Sequence, residues 1–344
     1  MTNLVFVDDS AKHEKRVLSL GAHKRRTFGM LNFLRGEYHQ LSELQVSRYT
    51  QCHDYLLFRH YPVLEKTKLH DARHCDIHLL CPMCAIRRAA RAVMKYDKKC
   101  QTLVSANPQL RLYYAVLTIK NTENLEERFE HLETSMRLLV KRRRDALSYL
   151  HGKSKKSAYA ANSIFANVSA GAYSFEFKRG KNSDLWHPHV NLLLLTEKPL
   201  SARKLSAEWE QITKDSHVVY CKKAHDSKQS FVEIFKYALK FSEMEFADNY
   251  HAWEILRKRR LCGSFGDFRG LDVSDADSEV DETSLQEFIE LFYRFDGNRY
   301  ALTDREASNS AAQQKDEVVN PLFHLIEPHL GVIKGHTNLS TMKL

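Results

Sequence analysis

Three stretches of this chain carry side chains whose type and spacing could do chemistry. Trp186-His187-Pro188-His189-Val190-Asn191-Leu192-Leu193-Leu194-Leu195 reads as a short buried β-strand. Side chains repeat every two residues along a strand, so His187, His189 and Asn191 share one face. Three polar, metal-competent groups on an apolar strand are costly to bury without a partner, and a bound cation would supply one. A pair of hydrogen-bonded histidines near a turn fits the same pattern. The second stretch is Cys81-Pro82-Met83-Cys84, with Cys75 and Cys52 upstream. A C-x-x-C turn brings two sulfurs to one point, and two more thiolates close a tetrahedral zinc site. The expected ligands are Cys52, Cys75, Cys81 and Cys84; His53, His74 or His78 could replace one sulfur. A redox pair is the other use of C-x-x-C, but no thioredoxin-like βαβ pattern surrounds it. The third stretch, 231–241, has no Gly or Pro and reads as a helix. It sets Glu233, Tyr237 and Lys240 on one face, at i, i+4 and i+7. An ordinary hydrogen bond on a helix surface uses the same spacing.

The elements that must position these groups are legible around them. Residues 112–119 are a continuous apolar and β-branched run, the signature of a central strand. An amphipathic helix follows over 125–150. A second strand region covers 164–179, and turn chemistry from Arg179 to Asp184 joins it to the histidine strand. The resulting antiparallel hairpin brings Glu176 beside the histidines as a further metal ligand, unless it pairs with Lys178 or Lys181. Ser201 caps a helix over 201–214, and a short strand follows at 217–221. Directly after the knuckle an Ala-rich helix carries Arg87, Arg88, Arg91 and Lys95 as a basic stripe, either lying on DNA phosphates or simply solvated. Residues 1–50 read as a basic arm around a short apolar segment, and 51–105 as a small zinc-binding module with its basic helix. The main α+β domain spans 106–250, and 251–344 a partly disordered C-terminal extension, helical and acidic. In that extension Arg257 to Arg260 are basic, Gly263, Gly266 and Gly270 look like loops, and residues 271–290 hold eight acids and no Lys or Arg.

Composition narrows the partners. The 344 residues are 43% hydrophobic and 28% charged, which suits a folded protein. A formal net charge of +9 favours polyanions, nucleic acid first. No apolar run reaches the roughly 18 residues of a membrane helix, and the N-terminus does not read as a signal peptide. The expected location is the cytosol, where seven cysteines serve as thiols or metal ligands rather than disulfides.

Leu117-Thr118-Ile119-Lys120-Asn121, the histidine strand and the Tyr-x-x-Lys helix occur in that order. The arrangement resembles the HUH endonuclease superfamily, and more narrowly the single-tyrosine replication initiators of bacterial rolling-circle plasmids. That family also tends to carry a cysteine cluster ending in a Cys-Pro-x-Cys knuckle followed by arginines, as at Cys81 to Arg88. The likeness covers about residues 50 to 245. It implies an endonuclease domain over 106–250, built on a central, mainly antiparallel sheet of the ferredoxin or RRM kind with flanking helices. It implies Tyr237 as nucleophile with Lys240 nearby, Glu233 as a carboxylate that activates water late, and His187, His189 and position 191 as the metal strand. Mg²⁺ or Mn²⁺ is the implied catalytic cation. Partners would be plasmid-origin DNA, with a host helicase and polymerase downstream. The family strand often reads His-Pro-His-x-His; here the last position is Asn191, a weaker oxygen ligand that still suits a hard cation. Competing readings are a related transposase or relaxase, a zinc-containing DNA-binding regulator without catalysis, and a nuclease that uses water directly.

Overall fold

The computed structural model of the chain describes residues 6–36, 41–154, 162–179, 184–236, 240, 243–271 and 287–307. Helix α1 (Phe6–Gly36) buries Val17, Leu20, Met30, Leu31 and Leu34 at helical spacing. The basic arm expected over 1–50 is therefore, across these residues, a packed helix. Arg16 and Lys24 turn inwards with the apolar stripe, and Arg26 lies 3.8 Å from the Phe246 ring centre. Helix α2 (Glu43–Gln51) starts from a capping box in which Ser42 and Gln45 satisfy each other's backbone.

Strands β1 (Tyr55–Tyr61) and β2 (Lys66–Asp71) pair antiparallel after α2. Helix α3 (Pro82–Ala106) opens with proline in its first turn, where the missing N–H costs nothing. The main sheet then begins with β3 (Arg111–Thr118). Helix α4 (Leu125–Leu150) crosses to β4 (Val168–Arg179) and β5 (Trp186–Thr196), followed by α5 (Ala202–Thr213), β6 (Val219–Lys223), α6 (Ser227–Phe235), α7 (Phe246–Leu256) and β7 (Cys262–Gly266). This sheet is antiparallel, in the order β6-β3-β5-β4-β7. Its central strand β5 is covered on both faces, so Val190 and Leu192 to Leu195 are all fully buried. On one face Phe129 of α4 meets the Phe175 and Phe177 rings at 5.8 and 5.7 Å. On the other, Ser174 Oγ donates to Ile234 O of α6 at 2.6 Å, and Tyr96 of α3 stacks on Phe235 at 5.1 Å.

The region after 251 departs from the expected helical and acidic extension. Past the short helix α8 (Asp267–Gly270), strands β8 (Ile289–Phe295) and β9 (Tyr300–Ala307) join β1 and β2 in a second antiparallel sheet, ordered β2-β1-β8-β9. Aromatic and β-branched residues on β8 pair with a strand some 230 residues earlier, a pairing no local pattern reveals. Of the glycines read as loops, Gly263 and Gly266 lie in β7 and Gly270 ends α8. Gly263 lies against the Tyr173 ring, where a Cβ would sit 2.6 Å from its hydroxyl, and Gly266 takes φ +61° beside Ser169 O. Glycine there permits close approach of an edge strand, and it erases the alternation that marks strands in sequence. The fold is α+β with two antiparallel sheets.

Candidate functional site

β4 and β5 pair in the register that sets Glu176 directly opposite His189. Glu176 is fully buried, and its Oε2 is a point of convergence. Lys240 Nζ reaches it at 2.5 Å, Asn191 Nδ2 donates to it at 3.0 Å, and His189 Nε2 lies 3.3 Å away. Asn191 in turn accepts from Tyr114 of β3 at 2.8 Å through its Oδ1. Three neighbouring strands thus build one polar chain on the α6 face of the sheet. Burial pushes the Glu176 carboxyl up, but the hydrogen bond and charge of His189 and the Lys240 ammonium outweigh it, and it is pushed down to about 2. Burial, then the nearby charges of Glu176 and Glu233, raise the Tyr114 phenol. His187 stands at the mouth: its Nδ1 meets Asn121 Oδ1 at 2.8 Å, its ring centre is 5.4 Å from that of His189, and burial holds its basicity down.

Glu176 Oε1 and His189 Nδ1 are buried and have no hydrogen-bond partner among the described residues. Buried carboxylate and imidazole atoms without partners are what a hard cation would satisfy, so the donor set fits one. Asn191 fits less well, because its carbonyl is committed to Tyr114. Tyr114 and this commitment left no trace in the sequence, since Tyr114 sits in a run that reads as plain strand.

Helix α6 is capped by Asp226, which accepts from Gln229 N, and it ends at Phe235. Glu233 pairs with Lys236 at 2.6 Å instead of facing Lys240 further along the chain. Lys240 reaches the sheet from beyond the end of α6. Tyr237 lies outside the described residues.

The four cysteines gather as one buried cluster. Cys52 follows α2, Cys75 follows β2, and Cys81 and Cys84 begin α3. Cys52 lies 3.6 Å from both Cys81 and Cys84, and Cys75 lies 3.6 Å from Cys84. A tetrahedron with metal–sulfur bonds of about 2.3 Å has edges of roughly 3.8 Å, so the spacing fits zinc. Neighbouring sulfurs, ahead of burial, push the Cys75 thiol up; ligation by a dication reverses that pressure, since the thiolate is the ligating form. His53, His74 and Cys84 form a second close group beside it. Lys24 of α1, nearly fully buried, donates to Cys52 O and lies where it offsets thiolate charge. A helix expected as part of a basic arm thus supplies a countercharge to the cluster.

The expected basic stripe divides. Arg87 is half-buried and pairs with Asp76 at 3.3 Å, whereas Arg88, Arg91 and Lys95 are exposed. Arg87 and Arg91 line one small hollow with His74; Arg88 faces a different, larger one.

The geometry defines an α+β protein with two antiparallel sheets, a four-cysteine cluster that could bind zinc, and a buried carboxylate–histidine–lysine site. Among the described residues no helix is long and apolar enough to cross a membrane. The chain is similar to two proteins named Protein rep. One, from a Bacillus species, is 26% identical over 167 residues, 47% of this chain and 48% of the relative. The other, from Bacillus amyloliquefaciens, is 25% identical over 174 residues, 49% of this chain and 45% of the relative. The chain thus spans just under half the length of the curated relatives it matches. No family model and no solved structure matches it.

Proposed function

We propose that the chain initiates rolling-circle plasmid replication by nicking one strand of the origin through a 5′-phosphotyrosyl link to Tyr237. The observation that supports this best is Glu176, buried at the centre of an antiparallel sheet between His189 and Lys240, in a chain that resembles proteins named Protein rep. In this reading single-stranded DNA lies at the His187 mouth of the sheet's α6 face. The Tyr237 oxygen attacks phosphorus, the phosphotyrosyl bond forms, and the 3′-oxygen leaves and takes up a proton. The free 3′-hydroxyl then primes synthesis. One phosphodiester replaces another, so the step is nearly isoenergetic and the link is a stable holder. A phenol with an ordinary pKa near 10 is a poor nucleophile until its proton is drawn off. Lys240 anchors the carboxylate beside the reacting group. Glu233 takes the proton from water in a late step that releases the enzyme, an effect on the order of 10² to 10⁴. Glu176 and His189, with His187 at the mouth, would hold the catalytic Mg²⁺ or Mn²⁺, which would neutralise charge on the scissile phosphate. The cysteine cluster would hold structural zinc.

The test is a labelled single strand carrying the nick site of its own plasmid, incubated with Mn²⁺ and run on a denaturing gel. Wild type should give a covalent protein–DNA band, Tyr237→Phe none, and Glu233→Ala an adduct that no longer hydrolyses. Cleavage by Tyr237→Phe at the wild-type rate would refute the tyrosine chemistry. A second reading, a zinc-containing DNA-binding regulator, is favoured by the internal closure of the site, with Asn191 on Tyr114 and Lys240 on Glu176. It predicts binding without cleavage across all metals.

A further inference from the structure

A cavity of about 460 Å³ opens between α3 and the segment that joins α7 to β7. Arg88 and His78 stand on one wall, and Arg257, Lys258, Arg259 and Arg260 on the other; no Asp or Glu lines it among the described residues. Crowding cations in a concave surface costs self-repulsion that an anionic occupant relieves. Internal partners relieve part of it. Arg259 bonds Glu126 and Glu130 at 3.2 and 3.0 Å, and Arg257 lies 4.7 Å from the Trp253 ring centre. Arg260 donates through Nε to Cys262 O at 3.0 Å, a bond to a neutral acceptor, and has no carboxylate partner among the described residues. Lys258 and Arg88 are exposed.

Both walls are fixed. Phe175 N donates to Leu261 O at 2.8 Å, and Ser174 pairs with Cys262, so one wall is stitched to β4 just before Glu176. The other wall begins at the Cys81–Cys84 knuckle. Buried Asn249 of α7 donates to Leu79 O at 2.9 Å and fastens the two. The aromatic ring in the lining, Tyr96, is half-buried and already stacked on Phe235, so the cleft offers charge and no platform for a base.

We infer that this cleft binds the phosphodiester backbone of DNA, holding it between the cysteine cluster and the carboxylate site without reading bases. The inference rests on the DNA substrate of the proposed function. For every phosphate left without its cation, the salt slope of binding falls by about 0.9 on duplex and about 0.7 on single strand. The experiment uses the zinc-loaded full chain and fluorescence anisotropy on labelled duplex and single strand across a salt titration. Lys258→Gln and Arg88→Gln, on opposite walls, should each lower the slope by roughly one. Lys258→Gln with Arg260→Gln should lower it by about two and weaken duplex binding on the order of 50-fold near 0.1 M salt. Adduct formation is followed in parallel. Unchanged slopes in variants that melt like wild type overturn the cleft, whether or not the adduct forms. Lowered slopes with no adduct in wild type overturn the tyrosine chemistry and leave the cleft standing.

Discussion

Replacing Lys240 by Met tests the electrostatics of the carboxylate site directly. Glu176 has no exposed surface, and Lys240, with 29% of its side chain exposed, holds its Oε2 at 2.5 Å. Removing one partner of a buried ion pair costs about 3–5 kcal/mol because the other charge stays behind unpaired. Glu176 keeps Asn191 at 3.0 Å and His189 at 3.3 Å, which puts the expected loss near or just below the lower end, about 2–3 kcal/mol. The reverse substitution, Glu176→Gln, leaves an ammonium that can swing to solvent, so it should cost less, about 1–2 kcal/mol. Because the two residues touch, the double variant should lose less than the sum. The pH dependence gives the sign. In wild type the Glu176 carboxyl is held down to about 2, so its contribution is present above the unfolded value of 4.5 and is lost as pH falls from there towards 2. Without the ammonium, His189 alone opposes the burial that pushes the carboxyl up, so Glu176 takes its proton at higher pH than in wild type, and the Lys240→Met deficit should shrink as pH is lowered and the acid is neutralised. Urea unfolding followed by tryptophan fluorescence reads this as a difference from wild type at each pH, which cancels titration elsewhere. A loss under about 0.5 kcal/mol at neutral pH, or a deficit that grows in acid, would refute the argument.

Three further outcomes follow from other parts of the structure. Purified protein should carry a single zinc per chain by elemental analysis, and Cys84→Ser should release it and lower the melting temperature, since metal binding free energy is folding free energy. Burial holds the His23 imidazole down to about 4 against its ordinary 6.5. Its neutral form therefore contributes stability above pH 6.5 that is lost as pH falls towards 4, about 2 kcal/mol by pH 5; His23→Gln should flatten that part of the stability profile in urea titrations. Gly266→Ala should cost roughly 2–4 kcal/mol in the same assay, because φ is +61° and the new Cβ would sit 2.0 Å from Ser169 O.

Much of the secondary structure is written locally. The expected helix over 125–150 coincides with α4 (Leu125–Leu150), and Ser201 caps α5 as its sequence signal indicates, because periodicity and capping act within a few residues. The meeting of the four cysteines is legible for a related reason: thiols at such spacing in a chain with this charge balance have few other uses. Strand alternation and the short turn are enough to place Glu176 opposite the histidine strand. The tertiary structure decides what these groups face. Asn191 bridges Tyr114 and Glu176, Lys240 arrives from beyond the end of α6, and Lys24 enters the cysteine cluster from a helix that reads as a basic arm. The four cations from Arg257 to Arg260 become one wall of a cleft only because β7, rich in glycine, docks at the edge of β4. Strand β8 finds β1 across more than two hundred residues, and β9 extends that sheet beyond β8. Sequence carries short-range propensity, whereas charge partners and sheet edges are chosen by long-range burial, where an unpaired polar group costs more than any local preference supplies.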